Sequence, residues 1–328
     1  MASSIIFVLP LYLAIVTTSL LPQKNRAHIL GAAVIGACLL LLDLPDIAEY
    51  KEHYQLAGEI GFYNILSLYN FEPGYVAIVA LLSKTIPFEV FYILTITFAI
   101  NAYRDFYCEN TSRKSSIFIV CFLSICLYFV AFTIRTTIAS IFLAYSLSCL
   151  KKKDNLRAAL MIILGATFHA IITPLIILPV INKFSILIKS RYLFAYTIAI
   201  VVALISEKIV SPDLFIGTNE LIDLKLSAYE DANVGSKNIY FGLWIVAAVG
   251  SIVSMDRFNE FDRVLTISMV TVILLLRPYE FFQGRFMWLT SFIFIYILTK
   301  GILTRFDIGK TGGLLTIITL PLLTFLRF

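Results

Sequence analysis

Arg135 lies in the stretch FVAFTIRTTIASIFLAYSL, with long apolar runs on both sides. A charge at membrane depth costs several kcal/mol unless it meets a cavity or a partner, so such an arginine marks a functional site by default. Other residues able to do chemistry are scattered along the chain. Asp46, Glu49, Tyr50 and His53 fall within 45–73, and Glu72 stands directly before Pro73 and Gly74. His169 lies in the run ILGATFHAIITP, and Arg277, Tyr279, Glu280 and Arg285 occupy LLLRPYEFFQGRFMW. Together they suit a reaction with an anionic leaving group. Arginine gives planar, bidentate recognition of phosphate, which lysine does not. Two or three arginines can neutralise a departing diphosphate. A histidine or carboxylate beside them can deprotonate an attacking hydroxyl. Tyrosines supply surfaces for sugar rings.

Each residue also has a structural explanation. Arg135 can snorkel to headgroups, and Arg277 and Arg285 can bind lipid phosphates. His169 can be a neutral packing residue. Glu72 can simply end a connection, and Asp46, after Pro45, can be a turn residue. The lysine run at 151–153 reads as a topology signal only. The functional explanation gains from the combination of three arginines, a histidine and several carboxylates on one side of the expected membrane.

That side follows from the elements. The chain has 328 residues, 59% hydrophobic and only 14% charged, where soluble domains carry about 25% charge. Apolar runs of roughly 20 residues recur from end to end, which predicts an all-α, polytopic transmembrane protein of about 11–12 segments forming a single domain, 1–328. Alternating ten-residue segments are absent, which argues against a β-barrel. Helices are expected at roughly 4–21, 28–44, 74–103, 115–132, 136–150, 157–170, 174–189, 192–210, 239–254, 263–276, 285–303 and 312–326. Pro87 should kink the 74–103 stretch or leave a re-entrant half-helix. The first run lacks a basic n-region and a small-residue cleavage site, so it reads as a retained helix.

Charge placement decides whether 157–189 is one segment or two. With a break near His169, the basic clusters at 24–26, 104–114, 151–157, 183–191, 257–263 and 300–310 share one side, as the positive-inside bias requires. Both termini and the segments 45–73 and 211–238 then lie outside the cytoplasm. These two segments, acidic and rich in tyrosine, are long enough to act as outer loops that form a lid or substrate platform. Cys38, Cys108, Cys121, Cys126 and Cys149 show no metal-ligand spacing. No metal, cofactor or nucleic acid partner is called for, and no nucleotide-binding loop is present.

The order Asp46…Tyr50, Glu72-Pro73-Gly74-Tyr75, Ile134-Arg135…Ala139 and Phe168-His169 resembles the EpsG family of membrane polysaccharide polymerases, relatives of the Wzy-type O-antigen polymerases. These motifs cover roughly residues 43–180. The second half resembles the family only loosely, through Leu226…Tyr229 and the arginines near 277–285. The family often has glutamine after the motif arginine, where this chain has Thr136, which leaves any role for that neighbour open.

The resemblance implies a GT-C-like fold in a bacterial cytoplasmic membrane. It implies that lipid-linked oligosaccharide repeat units are joined on the outer face, with undecaprenyl diphosphate released. A glycan on that carrier would be the donor and a hydroxyl of a second lipid-linked repeat the acceptor, with membrane lipids around them and a chain-length regulator as a further partner. Carried over, Arg135 with Arg277 or Arg285 would bind the donor diphosphate. His169 would be the general base, with Glu72 or Asp46 orienting or replacing it. Tyr50, His53, Tyr75, Tyr229, Tyr279 and Glu280 would contact substrate. The rival expectation is a transporter or flippase of lipid-linked sugars or another anion, which would need its polar residues near mid-membrane.

Overall fold

Pro73 explains how the central short helix begins. A proline suits the first helical position, because its fixed φ matches the helix and its missing N–H would have had no partner there. It also keeps the preceding residue extended, and Glu72 has φ −64° and ψ 139°. The computed structural model describes residues 45–60, 62–68, 71–110, 133–183, 201, 258–276, 280–298 and 300. All regular structure among them is helical. No helix among the described residues is long and apolar enough to cross a membrane. The segments expected at 4–21, 28–44, 115–132, 239–254 and 312–326 lie outside them, as does 192–210 apart from residue 201.

The elements in chain order are α1 (Pro45–Ile60), α2 (Phe62–Leu68), α3 (Pro73–Leu82), α4 (Phe88–Asn110), α5 (Ile134–Lys151), α6 (Asn155–Ala166), a 3-10 turn (Ala170–Ile176), α7 (Ile177–Lys183), α8 (Glu260–Leu275) and α9 (Glu280–Leu298). They divide between two compact units. The first holds Met1–Ser148, Leu160–Ala170 and Asp307–Phe328, and the second Cys149–Ala159 and Ile171–Phe306.

In the first unit, α1 packs against α3, with further contacts to α2 and α4. The segment 45–73, expected as a connection, is therefore largely helical. Ile47, Tyr50, Tyr54 and Ala57 are buried while Ala48, Glu49, Glu52 and Glu59 are exposed. That spacing of three and four gives one apolar face, which a composition rich in Glu and Tyr conceals. The Tyr54 hydroxyl donates to the Ile86 carbonyl at 2.9 Å, and Lys51 pairs with Glu89 at 2.8 Å. Burial pushes the Tyr54 hydroxyl up to about 12.

The stretch 74–103 is two helices. α3 ends at Leu82, and α4 begins at Phe88 immediately after Pro87. The ring of Pro87 cannot continue a helix ladder, so the break falls where the sequence placed it. The break near His169 is also present. α6 ends at Ala166, where the N–H groups of Phe168 and His169 both donate to the Gly165 carbonyl at 3.0 Å, and the 3-10 turn starts at Ala170.

In the second unit, α8 packs against both α7 and α9. Asn259 and Asp262 cap the start of α8 reciprocally, each accepting the other's backbone N–H at 3.0 and 2.9 Å. Fully buried Asp262 also accepts from Tyr296 Oη and Lys300 Nζ, both at 2.5 Å. This fastens the start of α8 to the far end of α9. Asn182 of α7 donates to the Leu150 carbonyl at 3.1 Å and to Asn155 Oδ1 at 2.8 Å.

Candidate functional site: an arginine, glutamate and histidine cluster

Glu72 occupies the N-cap position of α3, yet its side chain makes no capping bond. It turns instead toward α5 and the end of α6. Its Oε2 accepts from Arg135 Nη1 at 2.7 Å. Its Oε1 lies 3.0 Å from His169 Nδ1 and accepts the Ala170 backbone N–H at 3.2 Å. One carboxylate thus holds partners that lie 63 to 98 residues further along the chain.

The position of Arg135 needs such a partner. α5 begins at Ile134, so the arginine sits in the first helical turn rather than in the turn between helices that the sequence predicts. The N-terminal end of a helix carries partial positive charge, which disfavours a cation by about 0.3–1 kcal/mol. Glu72 offsets this. The Arg135 guanidinium also lies 4.3 Å from the Phe71 ring centre, and its Nε donates to Tyr50 Oη at 3.5 Å. Tyr50 meets Tyr75 edge-on with ring centres 5.9 Å apart, and Tyr75 meets Phe71 likewise at 5.5 Å. His53 packs edge-on to Phe71 at 4.6 Å. Tyr50, His53, Glu72, Tyr75, Arg135 and His169 are therefore gathered in the first unit.

Gly74 brings the histidine to the carboxylate. Its N–H donates to the Thr167 carbonyl at 2.8 Å. A Cβ on residue 74 would stand 2.7 Å from that same oxygen, closer than real Cβ atoms come. Only glycine admits the approach. The Glu-Pro-Gly-Tyr block thus has a physical meaning residue by residue. Pro73 starts the helix and holds Glu72 extended, Gly74 accepts the neighbouring backbone, and Tyr75 is buried beneath. The Phe142 and Phe168 rings, stacked with centres 5.3 Å apart, brace α5 against the same turn.

The electrostatics follow from this geometry. Burial opposes ionisation of Glu72, but the His169 hydrogen bond and the Arg135 charge outweigh it and lower its pKa from 4.5 to about 2. Glu72 is therefore a carboxylate at neutral pH. Burial lowers the His53 imidazole below its ordinary value, with Glu52 opposing and Arg135 assisting. The side chains of Arg135, Glu72 and His169 retain 17%, 14% and 14% exposure. They are sheltered enough for charges to interact strongly, and the Nε2 atom of His169 is itself buried. Tyr75, 1% exposed, finds no hydrogen-bond partner for Oη among the described residues. No three His, Cys, Asp or Glu side chains among those residues come together as a metal site requires.

The pattern of the EpsG family matches residues 34–328, nearly the whole chain. The chain belongs to the EpsG family. Members of this family are Wzy-like polysaccharide polymerases, a glycosyltransferase type of activity. The match extends well beyond the motifs at 43–180 into the second half of the chain. No curated protein and no solved structure matches it.

Not every candidate of this EpsG-family protein joins the cluster. Arg285 lies within α9 in the second unit, its guanidinium 5.3 Å from the Trp288 ring centre. Arg277, Tyr229 and Tyr279 lie outside the described residues, and so do the side chains of Asp46 and Glu280. Sequence reasoning missed Phe71 and Thr167 at the cluster, and Asp262, Tyr296 and Lys300 in the second unit. Phe71 precedes the Glu-Pro-Gly-Tyr block by one residue, and an aromatic there was the available signal. Thr167 acts through its backbone carbonyl, which no side-chain pattern reveals.

Proposed function

We propose that this protein joins lipid-diphosphate-linked oligosaccharide repeat units by glycosyl transfer on the outer face of the bacterial cytoplasmic membrane. In this proposal it is a multi-pass, GT-C-like helical protein, and the released carrier is undecaprenyl diphosphate. The observation that carries it is one carboxylate, Glu72, holding both an arginine and a histidine in a protein of a polymerase family.

The roles follow from the chemistry of these groups. Glu72 is ionised and accepts from His169 Nδ1, which fixes the neutral imidazole with its proton on Nδ1 and leaves Nε2 as the base. Nε2 takes the proton of the acceptor hydroxyl. The hydroxyl oxygen attacks the anomeric carbon of the donor as the bond from that carbon to the phosphate oxygen breaks, and the bonding pair leaves with the lipid diphosphate. Arg135 faces the diphosphate, supplying the stabilisation that a metal ion gives elsewhere. Tyr50 and Phe71 hold its guanidinium in plane.

The test is turnover by purified protein with lipid-diphosphate-linked repeats, without nucleotide sugar or added metal, read as a ladder on a gel. A ladder that vanishes with Arg135→Ala and with His169→Ala, while single repeats persist, is expected. Full-length polymer from either variant at normal expression overturns the roles. If the protein instead moves the lipid-linked unit between vesicle leaflets and forms no ladder, it is a transporter.

A further inference from the structure

Arg135 is fully neutralised in the resting site, which is unexpected for a residue whose task is to take a diphosphate. Its Nη1 is held by Glu72 and its Nε by the Tyr50 hydroxyl. The Nη2 edge makes no hydrogen bond to any described residue, so one face of the guanidinium remains for an anion. With His169 neutral, however, the arginine, glutamate and histidine together carry no net charge. Glu72 lies against both partners, at 2.7 Å from Arg135 and 3.0 Å from His169.

We propose, resting on the reading above, that Glu72 is a charge-compensating positioning residue, which makes diphosphate binding strengthen only when His169 gains the acceptor's proton. Before proton transfer the cluster is neutral and holds the donor diphosphate weakly through the Nη2 edge. As Nε2 accepts the hydroxyl proton, the cluster becomes singly positive. That change coincides with the growth of charge on the departing diphosphate. The attraction is thus greater in the transition state than in the bound substrate, and only such a difference accelerates the chemical step. Release of the product diphosphate is then linked to loss of the proton from His169.

The other charged and titratable groups near the guanidinium come from α1 and α3. They are His53 and Tyr50 on α1 and Tyr75 on α3, while Glu49 and Glu52 on α1 act on Tyr75 and His53. His53 is the other histidine beside the guanidinium, so the experiment separates the two histidines.

Inorganic pyrophosphate binding to the full-length protein in lipid nanodiscs, measured by calorimetry at pH 8 and pH 6, tests this. At pH 8, Glu72→Gln is expected to bind pyrophosphate at least about ten-fold tighter than the wild type, since one negative charge leaves a partly buried site. The same variant should make no ladder, because a glutamine amide presented to Nδ1 reverses the imidazole tautomer. Loss of a merely structural residue would weaken binding, not strengthen it. Wild type should tighten between pH 8 and pH 6 by about ten-fold more than His169→Gln does. That ratio cancels the ionisation of pyrophosphate and any contribution from His53.

Equal or weaker binding by Glu72→Gln overturns the proposal. So does an identical pH response in wild type and His169→Gln, a comparison that stands even where Glu72→Gln fails to fold. If the wild type makes polymer but binds no pyrophosphate at either pH, the charge argument fails and the polymerase reading survives. If the binding differences appear and no polymer forms, the charge argument stands and the polymerase reading fails.

Discussion

Gly74→Ala should disable the site although it replaces no polar side chain. The new Cβ would stand 2.7 Å from the Thr167 carbonyl oxygen, where comfortable contact needs about 3.5 Å, so the two segments must part by roughly 0.8 Å. The Gly74 to Thr167 hydrogen bond is lost or stretched, and overpacking adds strain, for a combined cost of about 1–3 kcal/mol. Glu72 is two residues away and His169 is two residues beyond Thr167, so the same displacement acts on their 3.0 Å contact. A shift of that size carries the contact past the ~3.5 Å limit of a hydrogen bond. The imidazole then loses its fixed tautomer and orientation, and a misplacement near 1 Å costs about 100-fold in rate.

Initial polymerisation rate and thermal melting, measured on the same preparation, check this. Gly58→Ala is the control in the same unit, since its Cβ would stand 3.3 Å from the Ser83 hydroxyl and 3.6 Å from the Ser83 carbonyl oxygen, close to ordinary contact. Gly74→Ala should melt lower and turn over about 100-fold slower, while the control keeps its rate. If Gly74→Ala works within about two-fold of wild type, backbone approach does not set the geometry and the reasoning is refuted.

Two further outcomes follow from the same contacts. The Glu72 pKa is depressed, so its contribution to stability is complete above its ordinary value of 4.5 and is lost as pH falls toward about 2. Chemical unfolding should therefore show a loss of roughly 2–3 kcal/mol in wild type across that window, absent in Glu72→Gln. In the second unit, Asp262→Asn removes the anion that faces Lys300 and Tyr296. Breaking a buried pair on one side costs about 3 kcal/mol, so this variant should melt lower while Glu72 and Arg135 stay in contact. An unchanged melting temperature would mean that the cluster does not fasten α8 to α9.

Composition and local pattern settled much of this protein in advance. The absence of alternating segments pointed to helices, and Pro87 and the placement of charge around 157–189 marked breaks. The Glu-Pro-Gly-Tyr, Ile-Arg and Phe-His blocks singled out Glu72, Arg135 and His169 and pointed to the EpsG family, because rare polar residues in apolar surroundings stand out one at a time. Their partners did not. Nothing local distinguishes Glu72, which holds Arg135 and His169, from Asp46, a second candidate to orient the base. That choice belongs to the fold, which sets Gly74 against Thr167 and so brings residues 72 and 169 together. The helix at 45–60 was equally hidden, because half of its buried face, Ile47, Tyr50, Tyr54 and Ala57, is tyrosine, whose burial depends on α3 and α4. Asp262, Tyr296 and Lys300 read as ordinary interface charges until α8 and α9 are paired. Sequence shows which groups are costly to bury; tertiary structure decides which group compensates which, because the compensation acts across space between segments whose spacing along the chain carries no record of it.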